Sequence, residues 1–159
     1  MKKNEDGDVR WLKTLKQYGY KVTSARKVIL RVLSNTAGHL TAENVYFEVH
    51  RIHPDIGLAS VYRTLDLLVG IGVVFKLDFG RGKAEYELAE DVKGKGHHHH
   101  LVCTGCGQVV DYKDFSKEEL ELLKRTEEGL LRRYAFAITN HLIQFYGLCK
   151  ACSESKSRA

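Results

Sequence analysis

Residues 59–89 read ASVYRTLDLLVGIGVVFKLDFGRGKAEYELA, and the period of the apolar residues changes inside that stretch. From Ala59 to Gly70 they recur at helical spacing, so Val61, Leu65 and Leu68 share one buried face, and Gly72 stands close to the C-cap. From Val73 to Phe79, and again from Ala84 to Ala89, apolar and polar residues alternate as they do in strands. Between these runs lies Gly80-Arg81-Gly82-Lys83. The stretch therefore predicts a helix followed by a β-hairpin with a basic, glycine-rich tip.

Toward the N-terminus the helical period continues. Arg10 to Tyr18 predicts a short helix ended by Gly19. Thr23 is placed to cap a second, with Val28, Ile29, Val32 and Leu33 at helical spacing. Asn35 to Gly38 breaks the chain, and Thr41 is placed to cap a third helix carrying Val45, Tyr46 and Val49 inward. His53-Pro54-Asp55 is a turn before the fourth. Three helices, a short fourth and a basic hairpin make a winged helix, a relative of the helix-turn-helix.

Toward the C-terminus, Asp91 to Gly96 is a polar, glycine-containing hinge. His97 to Cys103 and Gln108 to Tyr112 predict strands around Thr104-Gly105-Cys106-Gly107. Ser116 with Glu119 forms a capping box that opens a helix to about Arg133, with Leu120, Leu123, Leu130 and Leu131 on its apolar side. Phe136 to Leu148 has strand composition, and Ser153 to Ala159 reads as a loose tail.

Composition sets the outer limits. The 159 residues are 43% hydrophobic and 28% charged, the profile of an ordinary soluble globular protein. No apolar run approaches the roughly 18 residues a membrane span needs, and Met1 to Arg10 lacks the apolar core of a secretory signal. A cytoplasmic location without membrane attachment is the expectation. There are 14 basic and 11 acidic residues up to residue 90 and 11 and 9 after it, so the halves carry +3 and +2 and gross asymmetry decides nothing. Local distribution says more: from Val9 to Ala42 there are seven basic residues and no acidic one. That run fits either a solvated helix face or a surface for nucleic acid.

The strongest chemical signal is a pair of Cys-x-x-Cys motifs, Cys103/Cys106 and Cys149/Cys152, which hold all four cysteines of the chain. Zinc prefers tetrahedral thiolate ligation, and each motif offers two sulfurs from one tight turn. Four protein ligands close such a site, which makes it structural rather than catalytic. A redox pair or simple buried cysteines are the competing readings, and the redox reading lacks its usual βαβ context. The 42 residues between the pairs exceed the spacing of a compact zinc ribbon, so a helix and a strand lie between them.

His97-His98-His99-His100 resembles an expression tag, but it is internal, short, and runs directly into Leu101-Val102-Cys103. On a strand, His98 and His100 share one face and His97 and His99 the other, so one run can feed two metal sites. Imidazole suits zinc, iron, nickel and manganese-type ions, with carboxylates biasing toward the harder ones. Candidate carboxylates are Glu87, Asp111 and Glu118; candidate further histidines are His39 and His141.

Taken together, Gly57-Leu58-Ala59-Ser60-Val61-Tyr62-Arg63-Thr64-Leu65, the histidine run leading to Cys103-x-x-Cys106-Gly107, Thr139-Asn140-His141 and Tyr146-Gly147-Leu148-Cys149 resemble the ferric uptake regulator family over nearly the whole chain. The resemblance implies a homodimer that binds double-stranded operator DNA when loaded with metal. It implies structural zinc on Cys103, Cys106, Cys149 and Cys152. It implies a regulatory ion, Fe(II) or Mn(II) with zinc able to substitute in vitro, on His39, Glu87, His98 and His100, with Asp111 joining in the peroxide-sensing branch. It implies an additional site on His97, His99, Glu118 and His141, where His99 departs from the aspartate common in iron sensors. Tyr62 and Arg63 correspond to the DNA-facing residues of the recognition helix, with Ser60 and Thr64 beside them, and Lys21 to a minor-groove lysine. The expected fold class is α+β: a winged-helix DNA-binding domain over residues 1–90, a hinge over 91–96, and an α/β dimerisation and metal-binding domain over 97–159 held by zinc.

Other function classes leave their own marks. A zinc hydrolase needs an open metal position beside a general base, and neither His-Glu-x-x-His nor a deaminase-like His-x-Glu occurs. A metal-storage protein would not need the Tyr62-Arg63 helix or the hairpin. A non-enzymatic regulator is the expectation.

Overall fold

The computed structural model describes residues 5–36, 38–89, 98–138 and 141–156. The chain divides into two compact units, Met1–Gly96 and His97–Ala159. The expected hinge at 91–96 lies outside the described residues, as do His97, Thr139 and Asn140.

In the first unit α1 spans Glu5–Gln17, α2 Ser24–Asn35, β1 Leu40–Thr41, α3 Ala42–Ile52, α4 Leu58–Gly70, β2 Val74–Leu77 and β3 Glu85–Leu88. The starts of α2 and α3 have a local cause. The Thr23 hydroxyl accepts from the Arg26 amide at 3.4 Å, and that of Thr41 from the Asn44 amide at 3.2 Å. α4 ends in a Schellman arrangement: Gly72 takes φ +71°, its amide donates to Val69 O at 3.0 Å, and the Val73 amide donates to Leu68 O at 2.9 Å. That turn delivers the chain directly into β2. The tip of the hairpin uses Gly80 and Gly82, both at φ +74°, with the Gly80 amide donating to the Asp78 carboxylate at 2.8 Å.

The sheet order is β1-β3-β2, antiparallel throughout, with Val74 opposite Leu88 and Leu40 opposite Tyr86. β1 is absent from the sequence-based expectation, because two residues are too few to show a period. α1 begins at Glu5, earlier than the expected Arg10. One core joins the helices to the sheet: Trp11 and Leu15 from α1, Ile29, Leu30 and Leu33 from α2, Val45 and Val49 from α3, Leu65 and Leu68 from α4, and Tyr86 and Leu88 from β3.

In the second unit β4 spans His99–Cys103, β5 Val109–Tyr112, α5 Lys117–Tyr134, β6 Gln144–Gly147 and α6 Lys150–Lys156. The order is β5-β4-β6, with β4 antiparallel to β5 and parallel to β6. The strand expected over Phe136 to Leu148 shrinks to Gln144–Gly147; Ala135, at φ +51°, ends α5, and the described residues between it and β6 run without regular structure. Of the tail expected to be loose from Ser153, residues 153–156 instead lie in α6, whose first turn contains Cys152, and residues 157–159 lie outside the described residues.

Leu65→Ala is expected to lower the stability of the first unit by about 2–5 kcal/mol, since Leu65 is fully buried. Denaturant melts followed by Trp11 fluorescence measure this, and a shift below about 1 kcal/mol would show that α4 is not central to the core.

Candidate functional site

Sheet register creates the first cluster. β4 and β6 run parallel with Cys103 beside Gly147, and the Thr104 amide donates to Gly147 O at 2.8 Å. The two Cys-x-x-Cys segments therefore leave the sheet side by side. The first is a tight turn, with the Gly107 amide donating to Cys103 O at 2.8 Å and Gly107 at φ +76°. A Cβ at Gly105 would lie 2.9 Å from Cys152 Sγ, so glycine is required there by close approach.

All four Sγ atoms lie within 4.8 Å of one another. Cys106 and Cys149 have their sulfurs 3.8 Å apart. A disulfide would bring them to about 2.05 Å, and all four cysteines are free. Tetrahedral zinc with Zn–S near 2.3 Å requires sulfurs about 3.8 Å apart, so the cluster fits structural zinc. The electrostatics agree. Amides of Cys149, Cys106 and Gly105 point at Cys103, with the Cys149 amide largest, and pull its thiol down to about 6. Cys152, hydrogen-bonded first to Cys149 and then to Cys106 and Cys103, is pushed up to about 12. Four thiolates at this separation repel one another, and a dication relieves that.

Strand alternation separates the histidines as expected. His98 and His100 meet edge to face with ring centroids 4.9 Å apart. Asp111 lies opposite His100 across the β4–β5 ladder. Ligand atoms of His98, His100 and Asp111 fall within 4.8 Å of one another. In the first unit, the β1–β3 register carries His39 to the level of Glu87, and His39 Nε2 stands 3.5 Å from Glu87 Oε2. Glu87 is buried, and the His39 ring packs edge-on against Phe79 at 5.1 Å.

His99 points the other way, into Tyr112, Phe115, His141 and Phe145. Its carboxylate neighbour is Glu119, at 3.4 Å, whereas Glu118, expected from the sequence, is exposed. Glu119 also accepts from the Tyr112 hydroxyl at 2.7 Å, which raises the phenol's pKa. Its amide still donates to Ser116 Oγ at 3.1 Å. The residue read as half of a capping box thus keeps its backbone role and directs its carboxylate to the histidine. His141 lies 5.7 Å from His99, ring to ring, and its Nδ1 is 2.8 Å from Glu127 Oε1. Glu127 has no signal in the sequence beyond its place on a charged helix.

On α4, Tyr62 and Arg63 are exposed and Ser60 is half-buried; Arg63 reaches Ser60 Oγ at 3.3 Å. Thr64, expected with them on the DNA-facing side, is instead buried, because it follows Val61 by three residues and shares its inward face. Lys21 is exposed, and its carbonyl accepts from Arg26.

Known proteins resemble this chain in sequence and fold. A family model described as the Ferric uptake regulator family matches residues 17–146. The ferric uptake regulation protein of Bacillus subtilis (strain 168) is 42% identical over 143 residues, covering 89% of this chain and 91% of that one. That of Campylobacter jejuni is 34% identical over 151 residues, covering 94% and 90%. The solved structure of the ferric uptake regulator from Pseudomonas aeruginosa with manganese superposes with a TM-score of 0.68 at 32% identity, covering 87% of this chain and 96% of that one.

Cys103→Ser is expected to remove the bound zinc and collapse the second unit. Metal analysis by mass spectrometry and circular dichroism measure the two together; a folded, zinc-free variant would show that the cage is dispensable.

Proposed function

We propose that this chain, which belongs to the ferric uptake regulator family, is a cytoplasmic, homodimeric transcriptional repressor that binds operator DNA when loaded with Fe(II) and controls metal-homeostasis genes. The observation that carries the reading is that each unit offers an incomplete set of hard-ion ligands. The first supplies His39 with Glu87. The second supplies His98 and His100 with Asp111. Imidazole with carboxylate suits Fe(II) or Mn(II), and pooling the two sets would fill coordination positions that the described ligands of either unit leave open. Those residues would hold the ion, whose charge supplies the attraction that ties them together.

The rest is work for the chain's own side chains. His39 and Glu87 belong to the unit that carries α4, so joining them to the second unit would fix the direction in which α4 presents Tyr62 and Arg63. In a dimer this sets the spacing of two α4 helices, which must match successive major grooves of a palindromic site. Only one arrangement supplies every ligand, so metal shifts the population toward it. Arg63 is suited to a guanine edge or a phosphate, and Tyr62 to a thymine methyl, with Ser60 beside them. Lys21 and the basic run from Arg10 to Arg31 would hold phosphates, making affinity salt-dependent.

Support for the dimer lies in the second unit. α5 has no buried residue, and Leu101, Val110, Phe145 and Tyr146 are exposed around an open cavity of about 460 Å³. A surface of that kind suits a second copy of the same unit. His97, His99, Glu118 and His141 remain our candidates for an additional ion; the His99 and His141 rings stand 5.7 Å apart, with Glu119 and Glu127 the carboxylates beside them.

A second reading, a peroxide sensor on the same scaffold, is favoured by Asp111 joining His98 and His100. Mass spectrometry of the iron-loaded protein after peroxide treatment separates the two: oxygen addition on His39 or His98 selects the peroxide sensor, and an unchanged mass selects the iron sensor. A zinc-uptake regulator is disfavoured because all four cysteines sit in the cage.

Fluorescence anisotropy on duplexes selected from a random pool tests the main reading. Binding is expected with Mn(II) and abolished when a chelator leaves only the thiolate-held zinc; equal affinity in both states would overturn it. His98→Ala should keep the fold and weaken metal binding by about tenfold or more, read by metal titration of the same duplex complex. Arg63→Ala should cost about 1–3 kcal/mol of operator affinity with metal affinity nearly unchanged; normal operator affinity would remove Arg63 from the DNA-facing surface.

A further inference from the structure

The wing and the exposed side of α4 meet at one carboxylate that has no part in holding metal or in facing a base. Glu43 lies in the first turn of α3. Its Oε1 faces the Tyr62 hydroxyl at 3.5 Å and the Lys83 ammonium at 3.4 Å. Tyr62 comes from α4, and Lys83 from the tip of the β2–β3 hairpin. None of the three is buried, so solvent, or a polyanion, can reach them. The other cation at the tip is also engaged: Arg81 pairs with Glu85 at 3.2 Å and stacks over Phe79.

We propose that Glu43 is an internal competitor for DNA that holds Lys83 and the Tyr62 hydroxyl until a correctly registered duplex replaces it. The inference rests on the proposed DNA-binding function. A negative group on a DNA-facing surface repels every phosphate, whatever the sequence. It therefore lowers affinity for all duplexes alike unless binding energy from base contacts offsets it. Contacts to base edges exist only on a matching site. There, Tyr62 leaves Glu43 to meet a base and Lys83 leaves it for a phosphate. On unrelated duplex, Lys83 gains little by exchanging one anion for another.

The chemistry of Glu43 suits that role. Its carboxyl is held below the usual carboxylate range, first by its own backbone amide and then by Thr41 and Lys83, so it stays charged at neutral pH. Its ion pair with Lys83 is exposed, and exposed pairs are weak enough to be exchanged. A role confined to favouring the start of α3 would explain a carboxylate at this position, but not its convergence with two residues from two other elements. The two explanations differ in what they require of DNA affinity and its dependence on salt.

The test uses the full chain loaded with zinc and Mn(II), with two probes: a duplex selected by the unmodified protein from a random pool, and a scrambled duplex of the same composition. Glu43→Gln keeps the shape and removes the charge. It is expected to bind the scrambled duplex about fivefold tighter and the selected duplex tighter by at least as much, because there the contacts to Glu43 no longer have to be broken. The slope of log affinity against log salt on the scrambled duplex should steepen by about 0.9, the increment for one further neutralised phosphate. On the scrambled duplex, adding Lys83→Gln should cancel both the tighter binding and the steeper slope, while Lys83→Gln alone should leave binding nearly unchanged. Unchanged affinity for both duplexes together with an unchanged scrambled-duplex salt slope in Glu43→Gln would overturn the inference while leaving the repressor reading intact. So would a scrambled-duplex salt slope shallower by about 0.9 in Lys83→Gln alone, because Lys83 would then already be neutralising a phosphate on unrelated DNA. If the unmodified protein selects no duplex, the DNA-binding reading falls and this inference falls with it.

Discussion

Four sulfur atoms gathered within 4.8 Å do for the second unit what a hydrophobic core does for the first. Among the described residues of that unit, the buried apolar side chains are Val102 and Cys103, joined by the buried rings of His99 and His100. No residue of α5 is fully buried. A three-stranded sheet and two helices with so little apolar burial fall short of the area that offsets chain entropy. Thiolate–metal bonds supply the missing cohesion, as they do in other small metal-held folds. The parallel pairing of β4 with β6, the turn at Gly107 and the bare backbone at Gly105 all serve to bring those sulfurs together.

The first unit solves a different problem. It must present an exposed helix face on a rigid base, and it does so by burying the opposite face of α4 and tying its end to β2 through Gly72. Exposed and buried residues on α4 are consecutive in sequence but opposed in space, which separates Tyr62 and Arg63 from Val61, Thr64 and Leu65. The hairpin that follows shares a sheet with β1, and that register brings His39 beside Glu87. Candidate metal ligands and candidate duplex-facing residues thus stand on the same compact unit.

Much of this was legible in the sequence because it rests on period. Helical spacing gave α2, α3 and α4 with the capping threonines of the first two, and alternation gave β2, β3 and the split of the histidines between two faces. Cys-x-x-Cys spacing gave the cage. What stayed hidden depends on partners distant in the chain. β1 is too short to have a period and exists because Tyr86 and Glu85 pair with it. α6 has no apolar pattern and is a helix beside Cys149, whose carbonyl accepts from the Ser153 amide at 2.9 Å. Thr64 sits within an otherwise exposed motif, and only the phase of the helix turns it inward. Glu119 carries a complete local explanation as a capping residue, and that explanation conceals its reach toward His99.

The histidine tract is anchored at its C-terminal end. Cys103 fixes β4 from its C-terminal side, so residues are counted backward from the cage: three positions to His100, four to His99, five to His98. Repetitive tracts change length readily during replication, and in most strands one added residue would swap the two faces for everything beyond it. Here an extra histidine displaces only what precedes the tract, since the imidazole nearest the cage is still a histidine, and so is the next. A homopolymeric run set against a fixed anchor is therefore tolerant of its own expansion, and a lineage can gain or lose a repeat without scrambling which ring faces which side.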